Sequence, residues 1–114
     1  MHRHTKPGIQ KEYRGLSRRT LSLLQVSEGM NVDFKRDVSG IKSRDLVAFA
    51  NTPLGGTILV GVDEYTDVEG VQRGEVVGCE VDDNARLVIV NKATDCFPTV
   101  ELGIFVENIA RKPI

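Results

Sequence analysis

The stretch AFANTPLGGTILVGVDE, from Ala48 to Glu64, constrains the fold more than any other part of the chain. An apolar segment with helical spacing runs into Asn51 and Pro53, and proline does not simply continue a helix. Two glycines follow, then TILVGVD, which is apolar on both alternating faces until Asp63. A strand of that kind is covered on both sides. The expected path is helix, corner, interior strand, with Ile58, Val60 and Val62 on one face and Leu59, Gly61 and Asp63 on the other. Gly55-Gly56 is not a Walker loop, because no Gly-Lys-Ser/Thr follows. Nor is it the dinucleotide fingerprint, which lies after a strand and before a helix. It reads as a permissive turn that brings backbone elements close, with turn amides facing a phosphate as the alternative.

Around this corner the pattern is that of a mixed α/β (α+β) domain. GLSRRTLSLLQV has helical spacing, with Arg18 and Arg19 facing water. VDFKRDV reads as a short strand with Val32 and Phe34 on one face and Asp33 and Lys35 on the other. Ser39 is the expected cap of a second helix, IKSRDLVAFAN, in which Leu46, Phe49 and Ala50 recur. A short strand is expected around Glu75–Cys79 and a helix over Asp82–Thr94, capped by Asp82. Val100, Leu102, Ile104 and Val106 alternate in a long strand. Its closeness to the chain end predicts an open edge and a homodimer. Residues 1–12 read as a flexible tail and 13–114 as one domain. His2 and His4 fall in that tail and make no convincing metal site.

A chain of 114 residues suits one modest core. It has no apolar run of membrane-span length and no signal-peptide core at its start, so a cytoplasmic location without membrane contact is expected. Cys79 and Cys96 read as free cysteines in or near the core. The net charge of −1 conceals a division: ten Lys or Arg against four Asp or Glu up to Arg44, and five against twelve from Asp45 onward. That asymmetry fits an N-terminal portion meeting a polyanion, through Lys11, Arg14, Arg18 and Arg19. It equally fits a basic tail beside an ordinary acidic domain. Lys42 and Arg44 read as a solvated helix start.

Three carboxylates hold the chemical interest. Asp63 ends its strand, Asp33 shares a strand face with Lys35, and Glu28 precedes Asp33 across a turn. If the two strands pair, the three acids could converge on Mg²⁺ or Mn²⁺, which activates water and steadies phosphate charge. Lys35 would then contact phosphate; spacing alone supports a rim salt bridge as well.

SEGMNVDFKRDV, LVAFANTPLGG and TILVGVDE, in this order, resemble the Alba-like nucleic-acid-binding domain of Schlafen proteins and many microbial regulators. The resemblance covers roughly residues 16–110. It implies helices packed on a curved sheet, with Asn51, Gly55 and Gly56 matching the family's turn. Nuclease members cut RNA through two glutamates and an aspartate. The matching positions are Glu28, Asp33 (a glutamate in the pattern) and Asp63. Those members use two lobes and a Cys/His zinc site, whereas this chain has one lobe and no counterpart of the zinc site. The implied function is an accessory or regulatory module that binds RNA or DNA. The alternatives are a Mg²⁺- or Mn²⁺-dependent RNA endonuclease and a protein-interaction or structural module. The short C-terminus is expected of a fragment whose missing C-terminal domain would follow Ile114.

Overall fold

Gly61 divides the long apolar stretch in two. The computed structural model describes residues 10–25, 31–96, 100–109 and 112–114, and of residues 10–14, 108, 109 and 112 the backbone alone. Within these, β3 (Thr57–Val60) ends at Gly61 and β4 (Val62–Thr66) begins after it. Gly61 adopts φ +92°, a left-handed conformation that glycine takes without steric cost. Its N–H donates to the Lys35 carbonyl at 2.7 Å, and its own carbonyl accepts from the N–H groups of Val77 and Gly78. The chain therefore leaves one ladder and enters another at a single residue. This corrects the expected continuous strand. The turn shifts the alternation, so Val62 joins the core of Leu59 instead of sharing a face with Ile58 and Val60.

Among the described residues the strands form three sheets. β1 (Gln10–Arg14), β6 (Ile104–Ile109) and β7 (Lys112–Pro113) lie in the order β1-β6-β7, with β1 parallel and β7 antiparallel to β6. β2 (Val32–Lys35) pairs in parallel with β3, Asp33 opposite Ile58 and Lys35 opposite Val60. β4 and β5 (Gln72–Val76) make an antiparallel hairpin. Among the described residues three α-helices accompany them: α1 (Arg18–Leu24), α2 (Ser43–Ala50) and α3 (Asp83–Thr94). The architecture is mixed α/β, as expected.

The two apolar faces of β3 reach two cores. On one side Leu59 joins Leu24, Val32, Phe34 and Val62, closing α1 and the hairpin onto the β2-β3 ladder. On the other, Ile58 and Val60 pack against Val38, Ile41, Leu46, Ala85, Ala93 and Cys96 from the α2–α3 side. Each helix start carries its own hydrogen bond. The Ser17 and Asp82 side chains accept from the N–H groups of Thr20 and Ala85. At α2 the N-cap is Lys42, whose N–H donates to Asp45 at 3.0 Å. Ser39, expected in that role, instead lies in a short 3₁₀ turn, Val38–Gly40, where Asp37 accepts from its N–H and its hydroxyl.

Other boundaries move as well. β1 begins at Gln10, inside the stretch read as a tail, because β6 offers it a parallel partner over five residues. β5 starts earlier than expected and stops before Cys79, since pairing with β4 sets its length. β6 begins at Ile104, with residues 100–103 outside it. The edge expected there is covered: β1 lies on one side, and on the other Ile114 exchanges both backbone hydrogen bonds with Glu107.

Candidate functional site

One corner gathers a glycine turn, the starts of two parallel strands and a basic helix. Gly55 has φ +72°, whereas Gly56 is needed for space: a Cβ there would lie 2.4 Å from the Phe49 ring. The Thr52 hydroxyl bridges the carbonyls of Phe49 and Gly55 at 2.7 and 2.8 Å. The Asn31 side chain, at the start of β2, donates to the Gly55 carbonyl at 3.0 Å. Asn51, which matches the family's turn by position, is the exposed C-cap of α2, and Thr52 and Asn31 supply side-chain bonds to the turn. The Gly55 N–H is already bound to the Thr52 carbonyl, so that amide is occupied by the turn itself.

α1 flanks this corner. Arg18 and Arg19 are exposed, and the Arg19 guanidinium reaches the Thr57 hydroxyl at 2.9 Å, beside Gly56 at the start of β3. Neither arginine forms an ion pair among the described residues. Other cations are committed. Lys35 contacts Asp33 at 3.3 Å and Asp45 at 3.5 Å, Arg36 pairs with Asp63, Arg73 with Asp67 at 2.7 Å, and Arg86 with Asp83 at 3.4 Å. Lys92 donates to the carbonyls of Ile41 and Ser39 at the end of the 3₁₀ turn. Lys42 and Arg44 are exposed at the start of α2.

Asp33 and Asp63, the two described carboxylates of the three expected to converge, each meet a different cation. Asp33 and Lys35 point to the α2 face of the β2-β3 ladder, where Asp45 meets the same ammonium. Desolvation lowers the Lys35 pKa, but hydrogen bonding and charge from Asp33 and Asp45 outweigh it, and the value rises above the ordinary lysine range. Asp63 lies beyond Gly61, on the Arg36 guanidinium. A divalent cation at either carboxylate would meet a fixed positive charge beside it. Among the described residues no group of three or more His, Cys, Asp or Glu is placed to hold a metal. Glu28, His2 and His4 lie outside the described residues, as do the side chains of Lys11 and Arg14, whose backbones belong to β1.

Several functional groups escaped the sequence. Asp45 and Arg36 became visible only once topology placed them beside Lys35 and Asp63. Asp67 left a clue in TDVEG, an acid three residues before a glycine. Its carboxylate accepts from the N–H groups of Glu69 and Val71 and from Arg73, closing the β4-β5 loop.

A mixed α/β domain with a glycine corner feeding a half-buried strand, and an arginine-bearing helix beside it, defines the class. A family model described as Schlafen, AlbA_2 matches residues 28–114, most of the chain, and the protein belongs to that family. Membership is consistent with a nucleic-acid-binding role in general terms. No curated protein and no solved structure matched the chain. α1 precedes the matched segment; Leu24 in the core and the Arg19–Thr57 bond tie it to the rest. Among the described residues no helix is long and apolar enough to cross a membrane.

Proposed function

We propose that the protein binds nucleic acid, RNA or DNA, as an accessory or regulatory module, with Arg18 and Arg19 of α1 as its principal phosphate contacts. The observation that carries this reading is the contrast among cations. Lys35, Arg36, Arg73 and Arg86 sit on carboxylates, while the two α1 arginines, like Lys42 and Arg44 at the start of α2, are exposed with no ion pair among the described residues; Arg19 alone of these four also reaches the glycine corner. Their charge is therefore available to a phosphate backbone. The Arg19–Thr57 bond fixes one guanidinium against the glycine corner, which lowers the entropy lost when it engages a phosphate. The residues up to Arg44 carry a balance of +6, the sign that suits a polyanion. Lys11 and Arg14 extend the proposal along the chain.

The reading stops at binding. Asp33 and Asp63 are held by separate cations, and no cleavage step follows from that arrangement. Fluorescence anisotropy with a labelled single-stranded RNA and a labelled DNA duplex, at low and at physiological salt, tests the proposal. Association at low salt that weakens as salt rises is expected, because phosphate contacts release counterions. Failure to bind either polymer at low salt overturns it.

A further inference from the structure

At the tip of the glycine corner, between Thr52 and Gly55, two apolar residues stand in solvent: Pro53 is exposed, and Leu54 is 93% exposed. Isolated exposed leucines are common on protein surfaces. This one is distinguished by how it is held. The Thr52 hydroxyl bonds the Phe49 and Gly55 carbonyls at 2.7 and 2.8 Å, and the Gly55 N–H closes on the Thr52 carbonyl at 3.1 Å. Asn31 donates to the Gly55 carbonyl from β2 at 3.0 Å, and Pro53 fixes its own φ. The backbone on both sides of Leu54 is therefore set, while its side chain joins neither core. An apolar group presented on an ordered turn loses little further entropy when it is buried by a partner.

The charge around the tip suits a polyanion. Residues 46–62 contain no charged side chain, and the acids that flank this stretch, Asp45 and Asp63, already meet Lys35 and Arg36. Arg19 is fixed on Thr57 at 2.9 Å, three residues along the chain from Leu54. Three residues span at most about 11 Å between Cα atoms, which is about three nucleotide spacings along one strand. A phosphate on Arg19 thus brings a base step within reach of Leu54. We propose that Pro53–Leu54 is a wedge that enters a base step of the bound nucleic acid, so that the protein favours duplexes with a bulge over continuous ones. Leucine and proline are among the side chains that proteins insert between base steps. Unstacking has a cost, and it is least where pairing is already interrupted. This inference rests on the nucleic-acid reading of α1 and adds the structural feature that the same site selects.

Fluorescence anisotropy of the full chain with labelled DNA duplexes, identical except for a single-nucleotide bulge flanked by 2-aminopurine, tests this. Wild type is expected to bind the bulged duplex about tenfold tighter than the continuous one, from burial of one leucine side chain. Emission of the 2-aminopurine should rise on binding as its neighbour is unstacked. Leu54→Ser should erase both the preference and the emission change. Its salt slope and urea midpoint should match wild type, since it loses no phosphate contact and Leu54 belongs to neither core. Leu54→Phe, which keeps an apolar wedge, should retain the preference. Equal binding of the two duplexes by wild type, or an unchanged preference in Leu54→Ser, overturns the wedge and leaves salt-dependent binding through α1 standing. No binding of either duplex at low salt overturns both readings together. A doubled mass on light scattering that Leu54→Ser returns to the monomer also overturns the wedge, and assigns the tip to a second copy.

Discussion

Asp67 does at the hairpin tip what no backbone group there does alone. Its carboxylate takes Arg73 and two loop N–H groups, and these contacts, the Arg73 hydrogen bond foremost, hold its pKa below the usual 3.8. A depressed carboxylate stabilises the fold above its ordinary pKa, and that contribution disappears as pH falls through the folded value. Asp67→Asn is therefore expected to lower the urea midpoint at pH 7, with the gap from wild type closing as the solution is taken below pH 3.8. Cys79 carries the opposite sign. Burial, and then the charges of Asp37 and Glu80, push its thiol from 9.0 to about 11. The neutral thiol stabilises the fold fully below pH 9, and this is lost as pH rises from 9 to 11. Denaturation midpoints at the two ends of that window should fall less in Cys79→Ala than in wild type.

At the scale of elements, the glycine corner is a packing device. Gly56 lets the Phe49 ring of α2 lie where a side chain would be, so Gly56→Ala forces a Cβ to within 2.4 Å of the ring. Overpacking of that kind costs about 1–3 kcal/mol. Equilibrium unfolding should register the loss, and adding Phe49→Ala should leave the alanine at 56 nearly neutral. The corner and its flanking elements were legible because they rest on local chemistry: proline and glycine stop α2, Asp82 caps α3, and alternation marks Val32 and Phe34. Gly61 was not. Alternation in the letters runs straight through it, and only the left-handed backbone shows that Val62 changes core. The ion pairs of Lys35 with Asp45 and of Arg36 with Asp63 were hidden for a different reason. They join residues whose proximity depends on how the elements are arranged, and spacing carries no record of that. The resemblance to the family was correct, yet it could not show which cations Asp33 and Asp63 meet, because a motif preserves residue order and leaves charge partners to the fold.

At the scale of the whole molecule, the β2-β3 ladder separates two cores, and Leu59 lies against α1 and the hairpin while its neighbours Ile58 and Val60 face α2 and α3. Leu59→Ala is expected to cost about 2–5 kcal/mol, and circular dichroism and Tyr65 fluorescence should report the loss in one transition. Both arginines of the basic helix are exposed, and the one tie of Arg19 to the framework is a solvent-exposed bond to Thr57, so binding and stability are largely separable. Replacing both Arg18 and Arg19 with alanine should change stability by about 0.5 kcal/mol or less per site. The direct measurement is the slope of log affinity against log salt for single-stranded RNA, compared between wild type and the Arg18→Ala, Arg19→Ala double variant. Each lost phosphate contact is expected to flatten the slope by about 0.7, so the variant should bind more weakly with a slope shallower by about 1.4. An unchanged affinity and slope in a folded variant would contradict α1 as the phosphate-binding surface.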